Sequence, residues 1–242
     1  MESIQHAWPQ SSSEESDPVS LLRRATRAFG DQLLLATSLG PQSLVILDLA
    51  YRHGIRFDVA LIDTGLLFDE TLALASDVES RYGVKIRRAR PTASLAQQAL
   101  AEGPKLWQRD PDRCCELRKV GPMRSLLSGY RAWLTGLRRD QSLSRQDTKP
   151  VEWDEEFGLF KLSPLVDWSA EQVRSYLQEN QVPYNPLLDE GYRSVGCTPC
   201  TLPAGSAGSE RAGRWAGSSK TECGLHNRPI HIKKRSNNSG VK

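Results

Sequence analysis

Five cysteines, at positions 114, 115, 197, 200 and 223, are the residues of this chain best suited to chemistry. They form an adjacent pair (Cys114-Cys115), a C-x-x-C (Cys197-Thr198-Pro199-Cys200) and a solitary Cys223. Thiolates in two groups suit one Zn²⁺ or one iron–sulfur cluster, and the fifth cysteine is then left for reaction. Structural zinc sites use a spaced C-x-x-C knuckle on each side. Adjacent cysteines cannot close such a knuckle around one ion, whereas a cubane presents separate irons to two neighbouring sulfurs. The spacing therefore favours [4Fe–4S] over zinc. Burial as five small hydrophobes is the plain alternative. It fits these positions poorly, because Cys197 and Cys200 stand among Gly and Pro and Cys223 sits beside Gly224 in a polar tail.

Composition narrows the setting. The chain has 242 residues, of which 38% are hydrophobic and 25% charged, enough to bury a core over most of its length. No run approaches the roughly 18 apolar residues of a membrane helix. Met1 to Asp17 has neither a basic nor an apolar export region, so the expected compartment is the reducing cytoplasm, where disulfide frameworks are rare. A net charge of +3 is too small to argue for nucleic acid. The basic run Arg228, Lys233, Lys234 and Arg235 reads as a solvated terminus.

The cysteines need elements to position them. Residues 1–16 are polar and read as disordered. Asp17-Pro18 reads as a helix cap followed by proline in the first turn, opening a helix to Phe29. Strand candidates then alternate with helices: strand 33–37, helix 43–53, strand 57–62, helix 70–82, strand 84–88, helix 94–101. A helix from Asp112 toward Leu127 carries Cys114 and Cys115, with Pro122 expected to kink or break it. Tyr130 to Thr135 is the next strand, and Glu155-Glu156 reads as a solvated turn. Trp168 to Glu179 is an amphipathic helix with Ser169 as its cap. Pro203 to Ser219, rich in Gly, Ala and Ser, reads as a mobile linker. The expected organisation is a disordered segment 1–16, an α/β body 17–202 and a flexible C-terminal arm 203–242 carrying Cys223.

Alternation of this kind predicts a mostly parallel sheet with helices on both faces, and ligands bind beyond the carboxyl ends of such strands. Those ends read Ser38-Leu39-Gly40, Asp63-Thr64-Gly65 and Gly136-Leu137-Arg138-Arg139, small residues followed by arginines, which describes an anion-binding crevice. Each loop alone is an ordinary turn; convergence of the three favours a nucleotide. The chain has no G-x-x-x-x-G-K-[ST], no G-x-G-x-x-G after the first strand and no H-E-x-x-H.

Together, Cys114-Cys115-Glu116-Leu117-Arg118-Lys119, Arg138-Arg139-Asp140-Gln141-Ser142, Val182-Pro183-Tyr184-Asn185-Pro186-Leu187 through the C-x-x-C, Glu222-Cys223-Gly224-Leu225-His226 and Asp63-Thr64-Gly65 resemble the assimilatory adenylyl-sulfate reductases of bacteria over roughly residues 18–228. The resemblance implies an adenine nucleotide α-hydrolase-like fold, related to the ATP pyrophosphatases, with a [4Fe–4S] cluster. It implies reduction of adenosine 5′-phosphosulfate (APS) to sulfite and AMP, with thioredoxin or a glutaredoxin-like thiol donor. Under it Cys114, Cys115, Cys197 and Cys200 match the cluster ligands, and Cys223 matches the nucleophile that becomes an S-sulfocysteine. Lys119, Arg211, Arg214 and His226 match residues facing the phosphosulfate, the two arginines through their R-x-x-R-W context. Arg138 and Arg139 fall in the family's arginine loop, and Ser38, Thr64 and Gly65 on its nucleotide-binding edge. Self-association into a homo-oligomer stays open.

The residue types suit that chemistry. A thiolate attacking an anionic sulfuryl group needs cations on the oxygens, and Lys119 lies one helical turn beyond Cys115. Glu222 would raise the Cys223 pKa and nearby Arg or His⁺ would lower it. The loop Thr37-Ser38-Leu39-Gly40-Pro41-Gln42-Ser43 is a degenerate S-G-G-x-D-S without the Asp, which argues against pyrophosphate release from ATP and against a tRNA-thiolating enzyme. Reduction of the 3′-phosphorylated substrate PAPS is the main rival, and a zinc-stabilised nucleotide-binding protein is the non-enzymatic one.

Overall fold

The computed structural model describes residues 17–204, 210–217, 220 and 222–226. The expected disordered segment 1–16 and the basic run at 228–235 lie outside them, as do residues 205–209 and 218–219 of the expected linker. Helix α1 (Pro18–Phe29) starts as its sequence dictates: Asp17 accepts a 2.8 Å hydrogen bond from the Ser20 N–H, and Pro18 needs no N–H in the first turn. It leads into β1 (Leu33–Thr37), buried throughout because it lies mid-sheet.

There follow α2 (Pro41–Arg52), β2 (Asp58–Ile62), α3 (Asp69–Tyr82), β3 (Ile86–Ala89) and α4 (Leu95–Glu102). The cysteine-pair region then runs as α5 (Leu106–Arg109), α6 (Pro111–Cys115), a π-helical turn over Glu116–Val120 and α7 (Gly121–Leu127). Pro122 accounts for the break. It has no N–H to give, and its ring would crowd the carbonyl four residues back in a regular helix. The wider turn relieves this, with the Gly121 N–H donating to the Glu116 carbonyl.

Strand β4 (Ala132–Leu134) pairs with β1. The sequence reading missed the next element, a hairpin of β5 (Val151–Asp154) and β6 (Leu159–Leu162) around the expected turn at Glu155-Glu156. Helix α8 (Ala170–Glu179) opens on a reciprocal cap, Ser169 with Gln172.

The sheet order is β3-β2-β1-β4-β6-β5, parallel except for the β5 edge. One face buries Leu33, Leu35, Val59 and Leu61 under α1, α2, α3 and α8. The other buries Leu34, Ala36, Ala60 and Ile62 against Val120, Met123 and Leu127, and Leu225 of the arm joins that second core. The expected parallel sheet with helices on both faces is therefore present. No helix among the described residues is long and apolar enough to cross a membrane.

Candidate functional site

The chain moves from β1 outward through β2 and β3, then returns to place β4 on the other side of β1. At such a reversal the loops beyond the two central strands diverge and open a crevice. Here its rim is Thr37, Ser38 and Gly40 on one side and Thr135, Gly136 and Leu137 on the other. Leu39 holds φ 57°, the left-handed region a glycine would enter without strain, and its N–H bonds Thr37 Oγ1 at 2.7 Å. A Cβ on Gly136 would stand 2.7 Å from the Gln42 Cβ, so only glycine lets the two loops approach this closely.

The arm builds the facing wall. Arg211, Arg214, Cys223 and His226 line the crevice together with Ser38, Thr64 and Lys119 of the body. A second, smaller cavity beside it is lined by Cys114, Cys115, Cys197 and Cys200, and Thr64 and Lys119 border both spaces. Lys119 thus stands between the four cysteines and Cys223, carried there by the π-helical turn rather than by the regular helix the sequence suggested.

The C-x-x-C loop is fixed from two directions. Toward the body, Cys197 bridges Leu67, the Thr198 N–H donates to the Leu66 carbonyl at 2.8 Å, and Thr64 Oγ1 lies 3.3 Å from Cys197 Sγ. Toward the arm, the Trp215 N–H donates to the Cys200 carbonyl at 3.0 Å and Thr201 bridges Arg214. Trp215 is buried, with Arg211, Arg214 and Lys220 over its ring at 5.3, 4.6 and 5.6 Å. Gly196 makes room for this arrangement, since a Cβ there would collide with the Arg214 guanidinium. Residues 210–217, expected from composition to belong to a mobile linker, are packed in this way.

The electrostatics separate Cys223 from Cys114, Cys115 and Cys200. Burial pushes the Cys114 thiol up to about 12 and the Cys115 thiol up to about 11, and burial also raises Cys200. Burial opposes ionisation at Cys223 as well. There the Lys119 ammonium, the Leu225 N–H and Arg211 outweigh it, together with the opposing Glu222, and hold the thiol below its ordinary value. Reciprocally, Cys197 and Cys223 overcome burial and hold the Lys119 ammonium above its ordinary range. Burial, with Lys161, Arg145 and Arg211 nearby, drives His226 well below the ordinary imidazole value. His226 is therefore a neutral hydrogen-bonding group, stacked on Trp133 with ring centres 5.6 Å apart, and not a cation helping Cys223 to ionise. His226 Nδ1 and Arg214 Nε are buried without hydrogen-bond partners among the described residues, the condition of groups awaiting a polar ligand.

Three residues named from the sequence do not line the crevice. The Arg138 side chain is fully buried, its guanidinium paired with Asp140 and Glu210 and bonded to the Trp168 carbonyl at 3.1 Å. Arg139 pairs with Asp167 and donates to the Thr148 carbonyl at 2.9 Å. As placed here, both hold loops together and do not contact a crevice ligand. Gly65 turns the chain behind Thr64 at φ 71°, and a Cβ there would stand 3.1 Å from Arg118. Arg118 in turn anchors the Thr64 carbonyl and Gln98.

Sequence reasoning also missed residues that do line the crevice, among them Gln141, Arg145 and Trp133. Arg145 lies three residues beyond the quoted R-R-D-Q-S stretch, and a polar loop following a strand was the available signal.

A model of the phosphoadenosine phosphosulfate reductase domain matches residues 32–203, from the start of β1 to just past the C-x-x-C. The chain belongs to this family. An adenosine 5′-phosphosulfate reductase of Salinibacter ruber is 46% identical over 217 residues, covering 89% of this chain and 86% of its own. A phosphoadenosine 5′-phosphosulfate reductase of Gloeobacter violaceus is 43% identical, covering 88% and 90%. Among solved structures, a phosphoadenylyl-sulfate reductase of Candida auris in a phosphate complex superposes with TM-score 0.69 at 32% identity, covering 80% of this chain and 99% of that one. At the level of fold alone, this reductase-family chain also resembles FMN adenylyltransferase of Candida glabrata, with TM-score 0.59 and 15% identity over 82% of this chain and 71% of that one. The expected kinship with adenine-nucleotide enzymes thus holds for the fold. Cys223 lies beyond the matched domain, so its place in the crevice is an observation independent of that match.

Proposed function

We propose that this family member reduces adenosine 5′-phosphosulfate to sulfite and AMP in assimilatory sulfate reduction, with Cys223 as the nucleophile. The single observation carrying the reading is Cys223 at the crevice wall, its thiol held low beside Lys119 and Arg211. The adenine nucleotide lies along the rim at Ser38 and Gly136, and Lys119, Arg211 and Arg214 take the phosphosulfate oxygens. Neutral His226 hydrogen-bonds the same group through Nδ1. The Cys223 thiolate forms a bond to the sulfate sulfur. The bond from that sulfur to the bridging oxygen breaks, and AMP departs with the electron pair. A dithiol donor, thioredoxin or a glutaredoxin-like protein, then attacks the Cys223 sulfur; sulfite leaves with the S–S bonding pair, and the donor's second thiol completes its oxidation to a disulfide.

Cys114, Cys115, Cys197 and Cys200 fit a [4Fe–4S] cluster. They are soft donors lining one cavity; burial alone would keep the thiols of Cys114, Cys115 and Cys200 protonated, and a metal centre reverses that preference. Among the described residues no three His, Cys, Asp or Glu side chains are gathered to hold a metal ion, so the sulfurs border a space and do not meet at one point. When bound, such a cluster would supply structural ties and a fixed local field beside Lys119. The organisation we propose is a body of residues 17–202 bearing crevice and cluster and an arm, 203–242, bringing Cys223.

Incubation with ³⁵S-labelled APS in the absence of any thiol donor, followed by peptide mapping, tests the reading. Label is expected on Cys223 and none in Cys223→Ser; label elsewhere, or native turnover by that variant, overturns it. The PAPS-named relative from Gloeobacter violaceus supports the second reading. Initial rates with APS and PAPS at equal concentration decide between them.

A further inference from the structure

Glu222 directly precedes the proposed nucleophile and takes no part in the bond changes proposed above. Its carboxylate is nonetheless the most heavily engaged on the arm. Oε1 accepts from Arg145 Nε at 2.9 Å and from Ser144 Oγ at 3.2 Å. Oε2 accepts from Arg145 Nη2 at 2.8 Å and lies 3.2 Å from Arg211 Nη2. The Glu222 and Arg145 side chains are only 9% and 8% exposed, so this is a bidentate pair largely out of water. Arg145 is itself held: its Nη1 donates to Gln141 Oε1 at 2.5 Å, and that oxygen also accepts the Arg138 N–H at 3.1 Å. Gln141 Nε2 donates to the Gly136 carbonyl at 3.4 Å, just past the end of β4. A continuous polar chain therefore runs from the crevice rim at Gly136, through Gln141 and Arg145, to the residue beside Cys223.

We propose that the Glu222–Arg145 pair is a latch that registers the arm against the sheet, with both acting as positioning residues that set where Cys223 stands over the crevice. The latch acts on the attack, which needs Cys223 in place. It does not act on release of sulfite, which needs the sulfocysteine to meet a separate donor protein. Reactive geometry is steep in position, and a displacement of about 1 Å slows reaction on the order of 100-fold.

This inference rests on the reading of Cys223 as the attacking thiol, and its test has one arm that does not. In anaerobically purified full-length protein, Arg145→Ala and Glu222→Ala are expected to speed tryptic cleavage at Arg214 or Lys220 about tenfold, because truncating one partner strands the other's charge. In single turnover without donor, transfer of ³⁵S to Cys223 is expected to slow about 100-fold. Sulfite release by dithiothreitol from adduct formed beforehand stays within about twofold, an unmoved ratio a general folding defect would not give. Arg145→Lys should recover part of the transfer rate, and the exchange Arg145→Glu with Glu222→Arg should recover more than either single change. Native transfer rates and native protease resistance in Arg145→Ala and Glu222→Gln overturn the latch, as does equal slowing of both steps. If native protein takes no label on Cys223 while the protease result holds, the functional reading fails and the latch stands.

Discussion

The two walls of the crevice are built by different physics. The sheet wall is the edge of a parallel ladder whose strands carry fully buried leucines on both faces, and it is set by hydrophobic packing and backbone pairing. Among the described residues, the arm wall packs Leu225 and Cys223 on that core and is tied to the C-x-x-C loop by backbone bonds at Arg214 and Trp215, but much of its hold is charge: Glu222 to Arg145 and Arg211, Lys220 to Asp112, and three cations on Trp215. Under the proposed function, the sheet wall would present backbone and small side chains to the nucleotide and the arm would present the attacking sulfur.

Changes aimed at one wall should leave the other unmoved. Lys119→Ala removes the cation shared by the two cavities and should slow sulfur transfer by about 10²–10³-fold, with the absorbance expected of the proposed cluster unchanged from native protein; a loss below tenfold in single turnover would place Lys119 outside the reacting group. Leu34→Ala, in the fully buried second core, should lower unfolding free energy by about 2–5 kcal/mol in urea titration, with the transfer rate at 25 °C unchanged. Trp215→Ala should do the reverse, leaving the urea midpoint of the body in place and loosening the arm by about 1–2 kcal/mol, read as faster hydrogen exchange over residues 210–217. The smallest effect is with pH. Arg145 and Arg211 hold the Glu222 carboxylate below its ordinary value of 4.5 against the opposing effect of burial. A carboxylate depressed in the docked state contributes stability above 4.5 and loses it as pH falls through the lower value. Exchange at residues 222–226, corrected for its intrinsic pH dependence, should therefore rise below pH 4.5 in native protein and be flat in Glu222→Gln.

What the sequence disclosed follows the range of the interactions involved. The helix at Asp17-Pro18, the cap at Ser169 and the buried strand at Leu33 are written in contiguous residues, and each stands where expected. The β5–β6 hairpin was missed because its four-residue strands carry Glu152, Asp154 and Lys161 among the apolar positions, and only pairing with β4 makes them strands. Arg138-Arg139 read as an anion site because two arginines without visible partners suggest one. Arg138 has one partner close by in sequence, Asp140, but its second partner Glu210 and the Arg139 partner Asp167 stand 72 and 28 residues away, a separation no local pattern reveals. Arg145 was overlooked for the same reason, its partner Glu222 being 77 residues distant. The cysteines were legible because their spacing in the chain is itself the signal, and their grouping into one cavity and one crevice follows that spacing.

The π-helical turn at Glu116–Val120 works as a phase shifter. Adding one residue to a helical turn rotates everything downstream by about 100° relative to everything upstream. Upstream, Cys114 and Cys115 look into the four-cysteine cavity; downstream, Met123 and Leu127 look into the core beneath the sheet, and Lys119 sits at the change of phase. Deleting any one residue of the turn would keep the composition nearly intact while pointing the thiols and the core side chains in incompatible directions. The tolerance of this segment is therefore one of length before it is one of side-chain type.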